Sequence, residues 1–169
     1  MTAIAVRRIQ PADAAVLRLV RLRALATDPA SFGSTHEREA AYTEERWREW
    51  AAGDSDGAEM ATLLALRRDE ALGIVVARRD GDEPQVFDVF SMWVAPEARR
   101  QGVGGRLLEA IEDWIRDSGG AIVRLSVTNT SAAAQRLYEE AGFEPDGTRL
   151  SSRHTAGLVE IGLRKSLSR

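Results

Sequence analysis

Cysteine is absent from this chain of 169 residues, and its absence removes several kinds of chemistry at once. Disulfides, thiolate metal sites and a cysteine acyl-enzyme are all excluded. Histidine is nearly absent too, because His36 and His154 are the only two and lie far apart in sequence. A histidine-rich metal site is therefore not expected, and we predict that the protein uses no metal.

Long apolar runs and an excess of positive charge are also missing. No run approaches the roughly 20 apolar residues that span a bilayer, and the first residues lack the pattern of a secretory signal. The net charge of -3 argues against a nucleic-acid partner held by bulk electrostatics. We therefore expect a cytoplasmic protein with neither a nucleic-acid nor a membrane partner.

The periodicity of apolar residues predicts a single α/β (α+β) domain over residues 1–169. Four helices are predicted, at 13–27, 37–52, 102–117 and 131–141. Seven strands are predicted, at 4–9, 60–67, 72–79, 86–94, 121–127, 143–149 and 157–164. Turn-rich segments separate the strands at 60–94, as in an antiparallel meander. The expected sheet is mixed and mostly antiparallel.

Three glycines open the helix at 102–117, directly after a strand, a proline and two arginines. Gly102, Gly104 and Gly105 should weaken that helix, each by up to ~1 kcal/mol relative to alanine. Glycines there are useful if a ligand must approach the bare backbone. Because a first helical turn carries unpaired N–H groups and the positive end of the dipole, the expected ligand is an anion, most simply a phosphate. Tight packing of the helix against a strand is the alternative.

Two common phosphate-binding loops do not fit these glycines. A Walker loop has Lys followed by Ser or Thr after its last glycine, whereas this chain has Arg106 and Leu107. The dinucleotide fingerprint has a further glycine at the position of Leu107, and it belongs to a strand–helix repeat that the amino-terminal half lacks. An NTPase and a dinucleotide-binding fold are both disfavoured.

The pattern Arg99-x-x-Gly102-x-Gly104, preceded by Val94-x-Pro96, resembles motif A of the GNAT superfamily, the acyl-CoA-dependent N-acetyltransferases.

The likeness extends downstream and covers nearly the whole chain. Leu137-Tyr138 and Gly142-Phe143 are similar to the signature of a later helix in that family, and the order of the elements agrees. Residues 22–34 also resemble a bacterial subgroup whose acceptors are mostly unassigned.

The resemblance implies that the sheet splays between the strand ending at Val94 and the strand ending at Val127, and that the pantetheine arm of acetyl-CoA lies in the gap. Pro96 agrees with this, because it removes a donor and biases the preceding residue away from helix. An N–H at or near Val94 would hold the thioester carbonyl, and amides of residues 100–105 the pyrophosphate. The expected cofactor-binding residues are Met92, Trp93, Val94, Arg99, Arg100, Gln101, Gly102, Val103, Gly104, Gly105, Asn129 and Ser131. Arg99 and Arg100 could instead be surface charge.

Tyr138 is the residue that the resemblance assigns as general acid, protonating the departing CoA thiolate. A phenol with an ordinary pKa near 10 stays protonated at neutral pH and can donate. Packing in the core is the alternative role.

Asp88 is the candidate base, because histone acetyltransferases and several other members carry a catalytic glutamate at its position, six residues before Val94. Strand alternation predicts that it shares a face with Met92 and Val94. Aspartate is one methylene shorter than glutamate, so it would act through a water or not at all. The alternative is an acid at a strand edge.

One position departs from the family pattern. Many relatives have an asparagine seven residues before the tyrosine, in contact with pantetheine, and this chain has Ser131 there. Ser131 could cap the helix and still offer its hydroxyl, or Asn129 could supply the contact.

The acceptor side is indicated only by location. The resemblance assigns the pocket to loops at 30–39 and 150–156, where Phe32, His36 and Arg153 are candidates. The leading hypothesis is an N-acetyltransferase in which the primary amine of a small molecule or peptide attacks acetyl-CoA directly in a ternary complex. Alternatives are transfer of a longer acyl group and a non-catalytic CoA-binding regulatory domain. A homodimer is possible, since dimers are common in the family.

Overall fold

The computed structural model describes residues 2–152 and 155–168. Its helices are α1 (Ala14–Thr27), α2 (His36–Ala40), α3 (Glu44–Asp54), α4 (Val103–Asp117) and α5 (Ala132–Glu140). Its strands are β1 (Ala5–Arg8), β2 (Met60–Arg67), β3 (Glu70–Arg79), β4 (Val86–Val94), β5 (Ile122–Thr128), β6 (Glu144–Ser151) and β7 (Val159–Ser166). Short 3₁₀ turns precede α1, follow it and precede the glycine turn.

The prediction of one helix over 37–52 is wrong, because the chain forms two helices there. Thr43 takes an extended conformation, and its hydroxyl accepts a hydrogen bond from the Arg46 amide at 3.1 Å. Threonine is favoured at N-cap positions. Because Thr43 caps α3, a new helix begins there after α2 has ended at Ala40. The described chain thus has five helices instead of the four expected.

The predicted mixed, mostly antiparallel sheet is confirmed. Its seven strands lie in the order β1-β2-β3-β4-β5-β7-β6. Each neighbouring pair is antiparallel except β4 and β5, which run parallel.

The central pair of strands separates along its length. Pairing of β4 with β5 covers only Val86 to Asp88 against Ile122 to Arg124. From there β4 continues to Val94 and β5 to Thr128 without pairing to each other. The predicted splay between the two strands is therefore confirmed, and it opens toward their carboxyl ends.

Helices cover both faces of the sheet beside this split. Leu107 of α4 packs so closely on β3 that its Cδ1 would lie 2.9 Å from a Cβ placed on Gly73. On the opposite face, the indole of Trp93 hydrogen-bonds Asp28, at the end of α1. The core is built between these layers, with Leu17, Trp47 and Leu107 almost fully buried.

A β-bulge in β4 changes which residues share a face. Ile74 pairs with Trp93 whereas Val76 pairs with Phe90, so β4 carries one residue more than β3 at this point. Ser91 lies in the extra stretch and has φ of +54°. Bulges of this kind bend a strand and redirect its side chains.

The expectation that Asp88 and Val94 share a face is wrong for this reason. Asp88 pairs with Arg78 and Val94 pairs with Gly73. On β3, which is regular between those two positions, Gly73 and Arg78 point to opposite faces. Asp88 and Val94 therefore lie on opposite faces of β4, with the bulge between them.

Candidate active site

A cavity of about 590 Å³ lies at the split. Its walls come from β4, β5 and α5, together with α1 and the segment that follows it, α3, and the neighbouring parts of β6 and β7. Met92 and Val127 line it from the two separated strands, and Tyr138 lines it from α5. The cavity thus occupies the place where sheet hydrogen bonding stops.

The glycine turn lies at the start of α4. None of the main-chain N–H groups of residues 100–105 donates a hydrogen bond to a described residue. Arg100 and Gly102 have φ of +60° and +77°, the kind of turn that makes concave anion sites from successive amides. The helix dipole of α4 adds partial positive charge at the same place.

Packing accounts for one of the three glycines. A Cβ on Gly104 would lie 3.2 Å from Leu137 Cδ2 and 3.7 Å from Met92 Cε, so this residue lets α4 and α5 approach each other. A Cβ on Gly102 or Gly105 would meet nothing within 4 Å. Both of these glycines line a second cavity, of about 430 Å³, where open space adjoins the free amides. The left-handed φ of Gly102 by itself favours glycine there, whereas for Gly105 close approach of a ligand is a better explanation than packing.

The two arginines of the turn differ in their contacts. The Arg99 guanidinium is bound to Asp28 Oδ2 at 2.7 Å and to the carbonyl oxygen of Val94 at 2.9 Å, so it ties the turn to α1. Arg100 is exposed and forms no salt bridge with any residue of the described ranges. Gln101 donates to the carbonyl of Glu97 at 2.9 Å. Binding of cofactor phosphates by these side chains stays a prediction.

The side chains of Met92 and Trp93 point in different directions. Met92 lines the cavity. Trp93 is buried on the α1 face, under the Arg23 guanidinium, and its Nε1 donates to Asp28 at 2.7 Å. Trp93 could therefore contribute to the split only through its main chain. The main chains of Val94 and Val103 could contribute in the same way.

Tyr138 combines a packing role with access to the cavity. It is 6% exposed, and its ring makes an edge contact with Phe143 at 5.8 Å between centroids. Burial raises the pKa of Tyr138 to about 12. Within residues 2–152 and 155–168, no side chain or carbonyl accepts a hydrogen bond from its hydroxyl. The phenol is thus held protonated at the cavity wall, as a proton donor must be.

Asp88 does not line the cavity. Its carboxylate accepts a hydrogen bond from Arg124 Nε at 2.9 Å, and the same guanidinium binds Asp80 at 2.6 Å. The hydrogen bond to Asp88, joined by that to Asp80, holds the pKa of Arg124 above its ordinary value. The base role of Asp88 stays a prediction.

Ser131 and Asn129 have different surroundings in the structure. Ser131 lines the cavity, and its side chain makes no capping hydrogen bond to α5, so the cap that the sequence allowed is not formed. Asn129 is bound to β7, because its Oδ1 accepts from the Val159 amide at 3.2 Å. Of the two, Ser131 is the one positioned to meet a ligand in the split.

The three residues expected on the acceptor side differ in where they lie. Phe32 is buried and lines the cavity. His36 begins α2, is exposed, and is not among the lining residues. Arg153 lies outside the described residues.

A buried ion pair at the wall of the cavity was not predicted from the sequence. Arg21 and Glu39 are 6% and 3% exposed and are joined by two hydrogen bonds of 2.7 and 2.8 Å. Arg21 Nη1 also donates to Ser91 Oγ at 2.8 Å, at the bulge of β4. The available signal was an arginine inside the apolar stripe of α1, between Val20 and Ala24.

Glu160 was also missed. It lies on β7 and lines the cavity, and its Oε2 is 3.4 Å from Ser126 Oγ. Only strand alternation in the last part of the sequence could have indicated it, because the cavity forms from elements far apart in the chain.

Two negative findings apply to the described part of the chain. It contains no group of three or more His, Cys, Asp or Glu side chains that could hold a metal ion. It also contains no helix that is both long and apolar enough to cross a membrane.

The sheet split and the unpaired amides at the start of α4 form a site that suits an anionic ligand. The model of the acetyltransferase (GNAT) family matches residues 19–143. The chain belongs to this family, and it is a GNAT-type N-acetyltransferase.

Individual relatives agree with that assignment. An uncharacterized N-acetyltransferase of Bacillus subtilis, YhfO, is 31% identical over 110 residues, which cover 56% of this chain and 73% of that protein. Mycothiol acetyltransferase of Rhodococcus opacus is 35% identical over 135 residues, which cover 78% of this chain. This chain spans only 42% of that relative's length.

Solved structures share the fold. A GNAT-family acetyltransferase from Streptococcus pneumoniae superposes with a TM-score of 0.84 at 23% identity, covering 98% of this chain and 100% of the other. The paia N-acetyltransferase of Thermoplasma acidophilum, in complex with coenzyme A, gives 0.73 at 16% identity and covers 98% and 99%.

Proposed function

We propose that this protein binds acetyl-CoA in the split and transfers the acetyl group to a primary amine by direct attack in a ternary complex. The observation that carries the proposal is the row of unpaired amides at residues 100–105. Gly104 in this row lies against Met92, which lines the cavity together with Tyr138. The coenzyme A complex of a protein with the same fold supports the choice of ligand.

The pyrophosphate fits the start of α4. Unpaired amides, the dipole of α4 and the exposed Arg100 guanidinium all favour a negatively charged group there. Gly102 and Gly105 leave open space for it. The pantetheine arm would then follow the split, past Met92 and Ser131.

The reaction forms a C–N bond and breaks a C–S bond. The amine nitrogen, freed of one proton, attacks the thioester carbonyl, whose oxygen is stabilised by a main-chain N–H at the end of β4. Collapse expels the CoA sulfur, and the Tyr138 hydroxyl gives it a proton. The second proton lost by the nitrogen passes to the Tyr138 phenolate and restores the phenol. An amide, free CoA thiol and one proton leave the site. Holding both reactants in register supplies much of the rate.

The acceptor is proposed only as the amine of a small molecule or peptide. Mycothiol acetyltransferase, whose name gives a small-molecule substrate, supports the first class. A cytoplasmic location, expected from the sequence, and a homodimeric assembly, expected from the resemblance, both stay predictions.

Release of CoA thiol from acetyl-CoA, followed with a thiol-reactive dye, tests the proposal. The panel should contain small amines, amino acids, aminoglycosides and peptides with free amino termini. Amine-dependent thiol release, with the acetylated amine detected by mass spectrometry, is the expected result. If the protein binds CoA but releases no thiol with any amine, it is a CoA-binding module and the proposed reaction is wrong.

A further inference from the structure

We propose that Glu160 binds the ammonium group of the acceptor and takes the proton that its nitrogen loses before attack. The inference rests on the proposed function and names a residue of the same site. It differs from the assignment of Asp88 as base.

The position of Glu160 follows from the pairing of three strands. On β7 it pairs with Thr128, the last residue of β5, and with Leu150 of β6. Thr128 is at the end of β5 that has separated from β4. Glu160 is therefore next to the wide end of the split, and it lines the same cavity as Tyr138.

The carboxylate of Glu160 is available for a ligand. It forms no salt bridge within the described ranges, and its one hydrogen-bond contact there is the long one of 3.4 Å to Ser126 Oγ. Asp88, in contrast, is bound by the Arg124 guanidinium and does not line the cavity.

The charge of the cavity favours a cation. Among its described lining residues only Arg21 and Glu160 carry charge. The charge of Arg21 is balanced by Glu39 in the buried pair. The carboxylate of Glu160 is then the uncompensated charge among the described lining residues, and a partly enclosed site strengthens its attraction for an ammonium group.

Apolar side chains line the same cavity. Phe32 is buried at one wall, whereas Phe90 and Leu150 are 36% and 60% exposed at others. An amine that carries an aryl or branched alkyl group would cover these surfaces. We therefore choose 2-phenylethylamine as the probe.

The proton balance is complete without another reactant. The ammonium N–H bond breaks, the proton passes to a Glu160 oxygen, and the nitrogen keeps the electron pair with which it attacks the thioester carbonyl. Glu160 returns that proton to water after the amide has left.

The first test is binding of the 2-phenylethylammonium ion to the CoA-loaded protein, measured by NMR titration. Glu160→Gln should weaken binding about tenfold or more, the effect of losing a partly enclosed charge pair. Glu144→Gln, a matched exposed glutamate on β6 outside the cavity, should leave it unchanged. Equal binding by the wild type and Glu160→Gln, or no binding by the wild type, overturns the inference.

The second test uses turnover with an amine found active in the thiol-release panel. Glu160→Gln should lower kcat/KM by roughly 10²–10⁴, the range for loss of a general base, and remove the acidic limb of the pH profile. Glu160→Asp should recover part of the rate. Loss of rate in Asp88→Asn but not in Glu160→Gln would overturn the inference while leaving the acetyltransferase proposal intact.

Discussion

Tyr138→Phe removes a single hydroxyl and tests the proton donor directly. Because no described residue accepts a hydrogen bond from that hydroxyl, the free energy of unfolding in urea should change by less than about 1 kcal/mol. The ring keeps its edge contact with Phe143. The value of kcat should fall by roughly 10²–10⁴, the usual contribution of a general acid. Tyr42→Phe, which changes the other tyrosine of the chain, should leave kcat unchanged.

The ionisation of Tyr138 can be measured without any acceptor. In the Tyr42→Phe protein Tyr138 is the only tyrosine, so phenolate absorbance near 295 nm reports it alone. Burial raises the pKa of Tyr138 to about 12, above the value near 10 of an unfolded chain. The contribution of the protonated Tyr138 to the free energy of unfolding is therefore complete below pH 10 and is lost as the pH rises toward 12. The loss amounts to about 3 kcal/mol at 1.36 kcal/mol for each pH unit.

Two results would refute this reasoning. A kcat of Tyr138→Phe within threefold of the wild type would remove the hydroxyl from the mechanism. Phenolate formation near pH 10, while far-ultraviolet circular dichroism still reports a folded chain, would show that burial does not hold the phenol protonated.

Three further predictions concern the binding turn and the core. Gly105→Val should weaken CoA binding in calorimetry at least ~10-fold in the folded protein, whereas Gly53→Val, in open space on α3, should not; equal CoA affinity in both would contradict close approach of a ligand at Gly105. Arg21→Met should lower the free energy of unfolding by about 3–5 kcal/mol because it leaves Glu39 buried without its partner, and the double substitution with Glu39→Met should recover most of that loss in urea titrations. Gly120→Ala should destabilise by about 1–3 kcal/mol, since a Cβ there would overlap side chains that already fill the space; an unchanged urea midpoint would contradict the packing.

The fold and the glycine turn were predictable because their signals are local. The apolar run of Val86–Val94 and the helical spacing in Val103–Asp117 each follow from one continuous segment. The glycines after Arg100 indicated an anion site from residue type alone, and the unpaired amides there agree with it.

The arrangement of the acceptor side was not predictable in the same way. The bulge at Ser91 places Asp88 and Val94 on opposite faces of β4. No residue type near Ser91 indicates that β4 has an extra residue there. The break before Thr43 depends on one capping side chain inside a helical pattern.

Glu160 lies in the cavity only because β7 inserts between β5 and β6, a pairing between distant segments that no short motif encodes. Periodicity can indicate that a strand exists there but not which strands become its neighbours.

A crystal structure with acetyl-CoA tests the central claim most directly. We expect pyrophosphate oxygens to accept hydrogen bonds from amides of residues 100–105, and the thioester to lie between β4 and β5 within reach of the Tyr138 hydroxyl. A nucleotide bound elsewhere, with those amides turned away from it and the split closed, would contradict the account.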